Sequence, residues 1–537
     1  MVRYATIPLT SAPGAESEAF YIMMNIQINQ LGYTGDMQKI AVMRGRLADR
    51  LEVLDASGRA VMELPVMAQA EEIWGDQVAL ADFSPLCQPG EYTLRCGEEQ
   101  SYPFVIAAQP YQACLTALVD MFYYQRCGCE VDARAGVFAH PACHAAPARV
   151  WDTREYRDVH GGWHDAGDFG RYIVPAAKAA ADLLLAWQWN PAAFASPGLT
   201  ELREEVRWEL EWMLRMQRED GGVYHKVSCA SFCGMIMPHE EKEELVISPV
   251  STTATGDFAA CMALASRFYR ALDADFAHQM AEAARRAWDF MQAHEPMLFT
   301  NPQGISTGGY GDRSDADERL WAHVELALTF GEEKYLRAAE EAIRRAEKDR
   351  APLGWGDMRG YAALSGMALP GEMARVCREW VIGAARESLK RLNAYGITMT
   401  ERLPWGSNMN IANDGVIFAH AWLLTGEADF LQAAQRQLHY LLGVNPVGYC
   451  YVSCFGSQPM LHPHHRPSVA KGVCQPGMLS GGAASGMMDP CAREHLQGQP
   501  AGKSFIDRFE SYSTNEICVY WNSPMVALLA LLTSPKC

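Results

Sequence analysis

The sequence predicts a small antiparallel β-sandwich followed by a long, mainly helical domain, and three observations lead there. Up to about residue 109, short runs of alternating polarity are separated by turn signals. Beyond that point apolar residues recur at helical spacing. The chain has 537 residues, enough for two domains and a large core.

The first region is read from "IQINQLGY", "LEVLDASGRAV", "CQPGEYTLRC" and "YPFVIA", with Ser57-Gly58 and Pro89-Gly90 as turns. It is expected to span residues 24–109, with 1–23 as an N-terminal extension. The second region, 110–537, contains "LREEVRWELEWMLRMQ", "FAHQMAEAARRAWDFMQ", "DERLWAHVELALTFG" and "FLQAAQRQLHYLLG". At about 30 to 35 residues per helix and loop, roughly a dozen helices fit. Long loops rich in Gly, Pro, Asn and His fall around 140–170, 218–250, 300–316, 400–414 and 445–510. Function is expected there.

A net charge of −18 opposes nucleic acid and anionic membranes as partners, since both require basic patches. A neutral or cationic ligand fits better. Phe20 to Met24 is too short an apolar run for a signal or a membrane span, so the expected location is cytoplasmic. The sixteen cysteines are scattered through a long chain and read as reduced thiols, with a metal site open to some of them. Oligomeric state is not legible.

The stretch "HGGWHDAGDFGRY" sets Asp165 and Asp168 three positions apart, just ahead of a helical run. An ordinary role would have Asp168 cap that helix and Asp165 stabilise the glycine-rich turn. A catalytic role needs a partner carboxyl. Glu516, in "FIDRFESYSTNEICVYWNSP", stands where a polar segment meets an apolar one. Partial desolvation there would raise its pKa and suit it to act as a general acid. Its ordinary alternative is a place in the first turn of the last helix. A third polar loop, "GVNPVGYCYVSCFGSQPMLHPHHRPS", is dense in His and Arg.

Together these stretches resemble glycoside hydrolase family 9, over about residues 110 to 535. The motifs that carry the resemblance are "GGWHDAGDFGRY", "YVSCFGSQPMLHPHHR" and "FIDRFESYSTNEICVYWNS". The resemblance implies an (α/α)6-barrel catalytic domain, and "INQLGY" with "DFSPLCQPGEYTL" looks like the immunoglobulin-like module that precedes the barrel in one branch of the family. It implies Asp168 as general base, Asp165 as its helper in holding the water, and Glu516 as general acid. Such a division suits an inverting glycosidase, whose two working carboxyls stand roughly 6.5 to 9.5 Å apart on opposite faces of the sugar. His464 and Arg466 would bind sugar hydroxyls, and Trp163, Tyr224 and Trp405 are candidate aromatic platforms. Gln458 and Cys518 depart from the family's usual residues.

Cys127, Cys143, His144 and His160 offer thiolate and imidazole ligands of the kind structural zinc prefers, with Cys129 as a competitor. Their spacing is looser than a zinc finger's, and it is the resemblance that favours zinc. "GGYGDRSDADERLWA" and "GWGDMRG" are similar to the family's calcium loop, with Asp317, Glu318 and Asp357 as ligands. The expected activity is an inverting β-1,4-glycosidase of endoglucanase or cellodextrinase type. The chain ends about 20 residues past Glu516, which favours soluble cello-oligosaccharides over crystalline cellulose. Alternatives are an exo-β-glucosaminidase on chitosan oligosaccharides, a zinc-dependent hydrolase using "HDAGD", and a sugar-binding protein without catalysis.

Overall fold

The computed structural model describes residues 7–8, 24–45, 49–67, 71–195 and 201–533. Of the expected extension over 1–23, only Ile7–Pro8 falls within the described residues, as a strand paired with Val473–Cys474. The chain divides into two compact units: residues 1–121, 388–521 and 531–537, and residues 122–387 and 522–530.

In the first unit, two antiparallel sheets face each other. One contains Ile26–Gln27, Ile40–Arg44, Asp76–Asp82 and Glu71–Ile73 in that order. The other runs Phe104–Ile106, Gly90–Cys96, Arg50–Asp55 and Ala60–Pro65, with Glu99–Gln100 pairing beside it. Leu51, Val53 and Leu94 point inward at alternate positions to meet Ile26, Met43 and Phe104 in one apolar core. The strands end at Ile106, and the first helix, Gln112–Tyr124, follows.

The helices come in an alternating pattern. In the second unit, Ile173–Trp189 is buried at every position from Ile173 to Ala186, and Thr252–Tyr269 is buried almost throughout. Their partners, Leu202–Arg215 and Ala274–Ala293, carry charged faces and bury a single stripe. Ala316–Phe330 and Glu333–Arg345 repeat the contrast, the latter burying only Tyr335, Ala339 and Ile343. In the first unit both Ser407–Thr425 and Ala428–Leu441 are buried over most of their length. A helix apolar all round must be enclosed, whereas a two-sided one can face water. Inside the second unit, Asp182 accepts hydrogen bonds from Lys178 Nζ (2.6 Å), Tyr361 Oη (2.6 Å) and Ser523 Oγ (2.7 Å), so a buried ion pair is satisfied by residues of three helices.

A small five-stranded sheet in the second unit matters most for function. Its order is Tyr156–Arg157, Ala148–Val150, Val246–Ile247, Lys226–Ser228 and Arg171–Tyr172. The last pairing sets Tyr172 opposite Lys226 and so anchors the end of the aspartate loop. Among the described residues, no helix is long and apolar enough to cross a membrane, and the described cysteines are free thiols.

Candidate active site and metal centre

The loop from His160 to Tyr172 is tied down along its length. Gly161 and Gly162 adopt positive φ (101° and 79°), and a Cβ on Gly162 would come within 2.7 Å of the Trp212 ring. Only glycine meets both demands. Cys127 N–H donates to Gly162 O (2.8 Å), His164 N–H to Gln125 O (2.7 Å), and the Gln125 amide to the carbonyls of His164 and Ala166. Arg171 holds the carbonyls of Val159 and Gly161, both at 2.7 Å.

Asp165 and Asp168 are thereby fixed with little exposure, 4% and 8%. Asp168 Oδ2 accepts from Gly170 N–H (3.0 Å) and from the Tyr172 hydroxyl (3.2 Å), while Asp165 Oδ2 accepts from the Tyr310 hydroxyl (2.5 Å). Burial first, and then the nearby Asp168 and Asp165 charges, push the Tyr172 phenol far up. It therefore acts as a donor. The helix that follows is capped by Tyr172, with no side-chain bond, so neither aspartate serves as its cap.

Glu516 lies in the first unit, in extended backbone immediately after the short helix Tyr512–Asn515, and is partly exposed. It precedes the last helix, Val519–Leu532, and is not in its first turn. Its carbonyl accepts Gly481 N–H (2.8 Å), and its backbone bridges to His464. Two carboxylates missed in the sequence anchor this segment. Asp489 accepts from Ser511 Oγ, Ser513 N–H, Ser513 Oγ and Ala492 N–H. Burial opposes its ionisation, but these donors prevail and hold its carboxyl below the usual range. Asp507 accepts from the N–H groups of Leu461 and His462, both at 2.9 Å, and from the Asn515 amide at 2.8 Å. It thus joins the loop at Leu461 and His462 to the segment that leads to Glu516.

His464 sits beside Glu516 with Nδ1–H bonded to Phe509 O (2.6 Å), and Arg466 is buried at the start of the helix Arg466–Lys471. Trp405 is 42% exposed and lies 5.7 Å, ring to ring, from Tyr512. Tyr224, in the second unit, is corrected as a platform: it is buried, 7% exposed, with the Arg157 guanidinium 5.4 Å over its ring, at the wall of a cavity of about 1040 Å³ whose lining includes neither Asp165 nor Asp168. Trp163 requires correction. It is 2% exposed, its indole N–H donates to Glu205 (2.9 Å), and its backbone N–H donates to Glu209 (2.6 Å). A ring sealed in this way has no face for a sugar. The departure at Gln458 also finds its reason: its backbone N–H donates to Gln30 (2.8 Å), and its side-chain oxygen accepts from Tyr102 (3.1 Å), both in the β-rich region of the same unit.

The expected metal ligands are corrected at one position. The ligand atoms of Cys127, Cys143, His144 and His164 converge within 4.8 Å of one another. His160 instead donates to Asp158 at 2.6 Å. Individual separations are 3.6 Å for Cys127 Sγ to His144 Nδ1 and 3.7 Å for Cys143 Sγ to His164 Nε2. Burial opposes a thiolate at Cys127, but Cys143, Arg171 and the two histidines outweigh it and pull that thiol well down. Glu241 accepts from His144 Nε2–H (3.0 Å), the outer partner that fixes a ligating histidine's tautomer. The donor set, two sulfurs and two imidazoles, fits a closed tetrahedral site.

Asp317, Glu318 and Asp357 are not drawn into one such group. Asp317 accepts Met358 N–H (2.7 Å), and Asp357 pairs with Arg359 (2.8 Å). Glu318 is buried with both carboxylate oxygens lacking a protein partner, and so is Asp257, which the sequence reading missed. Burial and then the Asp257 charge push Glu318 up to about 11.

A carbohydrate hydrolase is the class that this combination of carboxylate loop, acid segment and helical pairs defines. The profile of glycosyl hydrolase family 9 matches residues 111–529, and that of the cellulase N-terminal immunoglobulin-like domain matches residues 23–101. The chain belongs to glycosyl hydrolase family 9, and its fold class is mainly α, an (α/α)6 barrel preceded by an all-β immunoglobulin-like sandwich. It is 32% identical over 545 residues to a cellodextrinase of Butyrivibrio fibrisolvens, covering 95% of this chain and 99% of that protein. Among solved structures, a mutant thermostable endoglucanase from Alicyclobacillus acidocaldarius matches with a TM-score of 0.89 and 38% identity, covering 95% of this chain and all of that one. A zinc-binding triple mutant of the family 9 endoglucanase J30 matches with a TM-score of 0.88 and 28% identity, over 94% of this chain and all of that one.

Proposed function

We propose that the protein hydrolyses β-1,4-linked glucan oligosaccharides with inversion at the anomeric carbon. Asp168 takes a proton from water, Asp165 keeps that water oriented, and Glu516 protonates the leaving glycosidic oxygen. The water oxygen bonds to the anomeric carbon as the old C–O bond breaks, and the proton from Glu516 leaves with the alcohol. What carries this reading is the donor pattern at Asp168: backbone and phenol both donate to one carboxylate oxygen, as an ionised base requires. His464 and Arg466 would hold sugar hydroxyls, and Trp405 would offer a ring face.

Support for the substrate comes from the cellodextrinase match, which spans nearly the whole length of both chains. The glucosaminidase alternative is not favoured by the relatives. For the metal centre, zinc is supported by the Cys2His2 donor set and by the zinc-binding relative. Four protein ligands would leave no open position for water, so a zinc held there would be structural. His164 contributes one of them from within "HDAGD", which would tie the metal to the loop without giving it a chemical step. Calcium near Asp317, Glu318 and Asp357 is supported by the unpartnered buried oxygens of Glu318 and Asp257, a hard-oxygen set that a divalent cation would satisfy.

The test is the product anomer from cellotetraose, followed by NMR, together with Asp168→Ala. That variant should lose turnover by ~10³-fold or more. Azide should restore part of it and yield an α-glycosyl azide. A β-configured product, or rescue of Asp165→Ala alone, would overturn the assignment.

A further inference from the structure

Lys226, the first residue of the strand Lys226–Ser228, and His225 just before it reach across to consecutive carbonyls of the 299–310 loop. His225 Nε2–H donates to Gly309 O (2.8 Å), and Lys226 Nζ donates to Gly308 O (2.5 Å). Lys226 has three further acceptors, Asn301 Oδ1 (2.7 Å), Thr307 Oγ1 (3.0 Å) and, more distantly, Thr307 O (3.4 Å), so its three N–H bonds are all satisfied. The tautomer of His225 follows from its partners. A carbonyl can only accept, so Nε2 carries the hydrogen and Nδ1 accepts from Ser251 Oγ (2.8 Å). The ring lies flat on Phe299, with centroids 3.7 Å apart. Both side chains are buried.

The residue that follows the two clasped carbonyls is Tyr310, whose hydroxyl meets Asp165. Its φ is 47°, a left-handed conformation that a non-glycine residue keeps only where its surroundings hold it. Its ring packs against Tyr172, 4.9 Å away, which in turn donates to Asp168 and pairs with Lys226 across the sheet. We propose that the His225–Lys226 clasp is a positioning device: it holds Tyr310 in its strained backbone so that the phenol reaches Asp165, and Lys226 thereby sets the geometry of the aspartate loop without touching substrate.

Physical costs support a role beyond packing. Burial pulls the Lys226 ammonium down to about 8, against the attraction of Asp168, so it remains cationic at neutral pH in a place where a methionine would be easier to bury. Burial likewise pulls His225 down to about 3, which keeps it neutral.

The proposal rests on the catalytic reading of Asp165 and Asp168, and a double-mutant cycle with one control separates the two. Lys226→Met should lower kcat on cellotetraose by ~10- to 100-fold, the scale of an ångström-level misplacement, with KM within about threefold. In the Tyr310→Phe background, which keeps the ring and lacks the hydroxyl, the same substitution should cost less than about threefold. An equal factor in both backgrounds, an unchanged kcat, or an effect confined to KM would overturn the clasp. Thermal melting checks folding. If Lys226→Met does not fold, Asn301→Leu, which removes one acceptor from the loop side, takes its place in the cycle. Asp165→Ala is the control: wild-type turnover there would refute the reading beneath the proposal, whereas its loss combined with an additive cycle would refute the clasp alone.

Discussion

Between Cys127 and Tyr172 the chain gathers soft thiol and imidazole donors and positive-φ glycine backbone; between Asp489 and Ile517 it is held by hard carboxylates and strand bridges. In the first case, two cysteines and two histidines converge, and His164, one of the four, is adjacent to Asp165. In the second, Asp489 and Asp507 collect backbone and side-chain donors around the segment that ends at Glu516. The difference matches the chemistry proposed for each region. A base loop with buried aspartates gains from an anchor that adds no negative charge nearby beyond what a bound cation offsets. A general acid must shed its proton during the reaction, and its anchors act on backbone around it. Both regions are tied down by hydrogen bonds to different elements, so each should loosen separately.

The largest effect should come from the acid. Glu516→Gln should lower turnover on cellotetraose by ~10² to 10⁴-fold, and far less on aryl glycosides with very acidic leaving groups. Equal losses on both substrates would show that Glu516 supports structure and donates no proton. Metal removal should come next, and it should touch only one side of the comparison. Purified protein should contain about one zinc per chain, and Cys143→Ser should reduce it and lower Tm, because metal-binding energy is partly folding energy. Hydrogen exchange should then rise between residues 125 and 172 and stay unchanged between 505 and 518. A uniform rise would mean that the cluster supports the whole molecule.

Asp489→Asn should do the reverse, raising exchange between 505 and 518, with a destabilisation of ~1 to 3 kcal/mol from donors left without an ionised acceptor. The sign of the pH dependence follows from its depressed carboxyl. Stability from Asp489 is present above the unfolded value of 3.8 and is lost as pH falls through the lower folded value. Acid titration of Tm should therefore show a steeper loss below about pH 4 in wild type than in Asp489→Asn. The smallest effect should be at Trp405: removing an exposed ring by Trp405→Ala should raise KM on cellotetraose by ~3- to 30-fold, the scale of one or two kcal/mol of stacking, with kcat little changed.

The sequence by itself determined the two textures, the paired aspartates, the separate segment around Glu516 and three of the four residues in the Cys–His cluster. Strand alternation, helical periodicity and glycine-rich loops are local properties, written in consecutive residues, and they survive in any environment. The choice between His160 and His164 was not of that kind. The two lie four residues apart in one loop, and the turn at Gly161 and Gly162 sends one side chain into the cluster and the other toward Asp158. Trp163 reads as a platform until Glu205 and Glu209, more than forty residues on, close over it. The Lys226 contact with the loop before Tyr310 spans about eighty residues, and that of Tyr310 with Asp165 nearly twice as many. Hydrogen bonds at such separations depend on the path of the intervening chain, and only the tertiary structure decides which donor meets which acceptor.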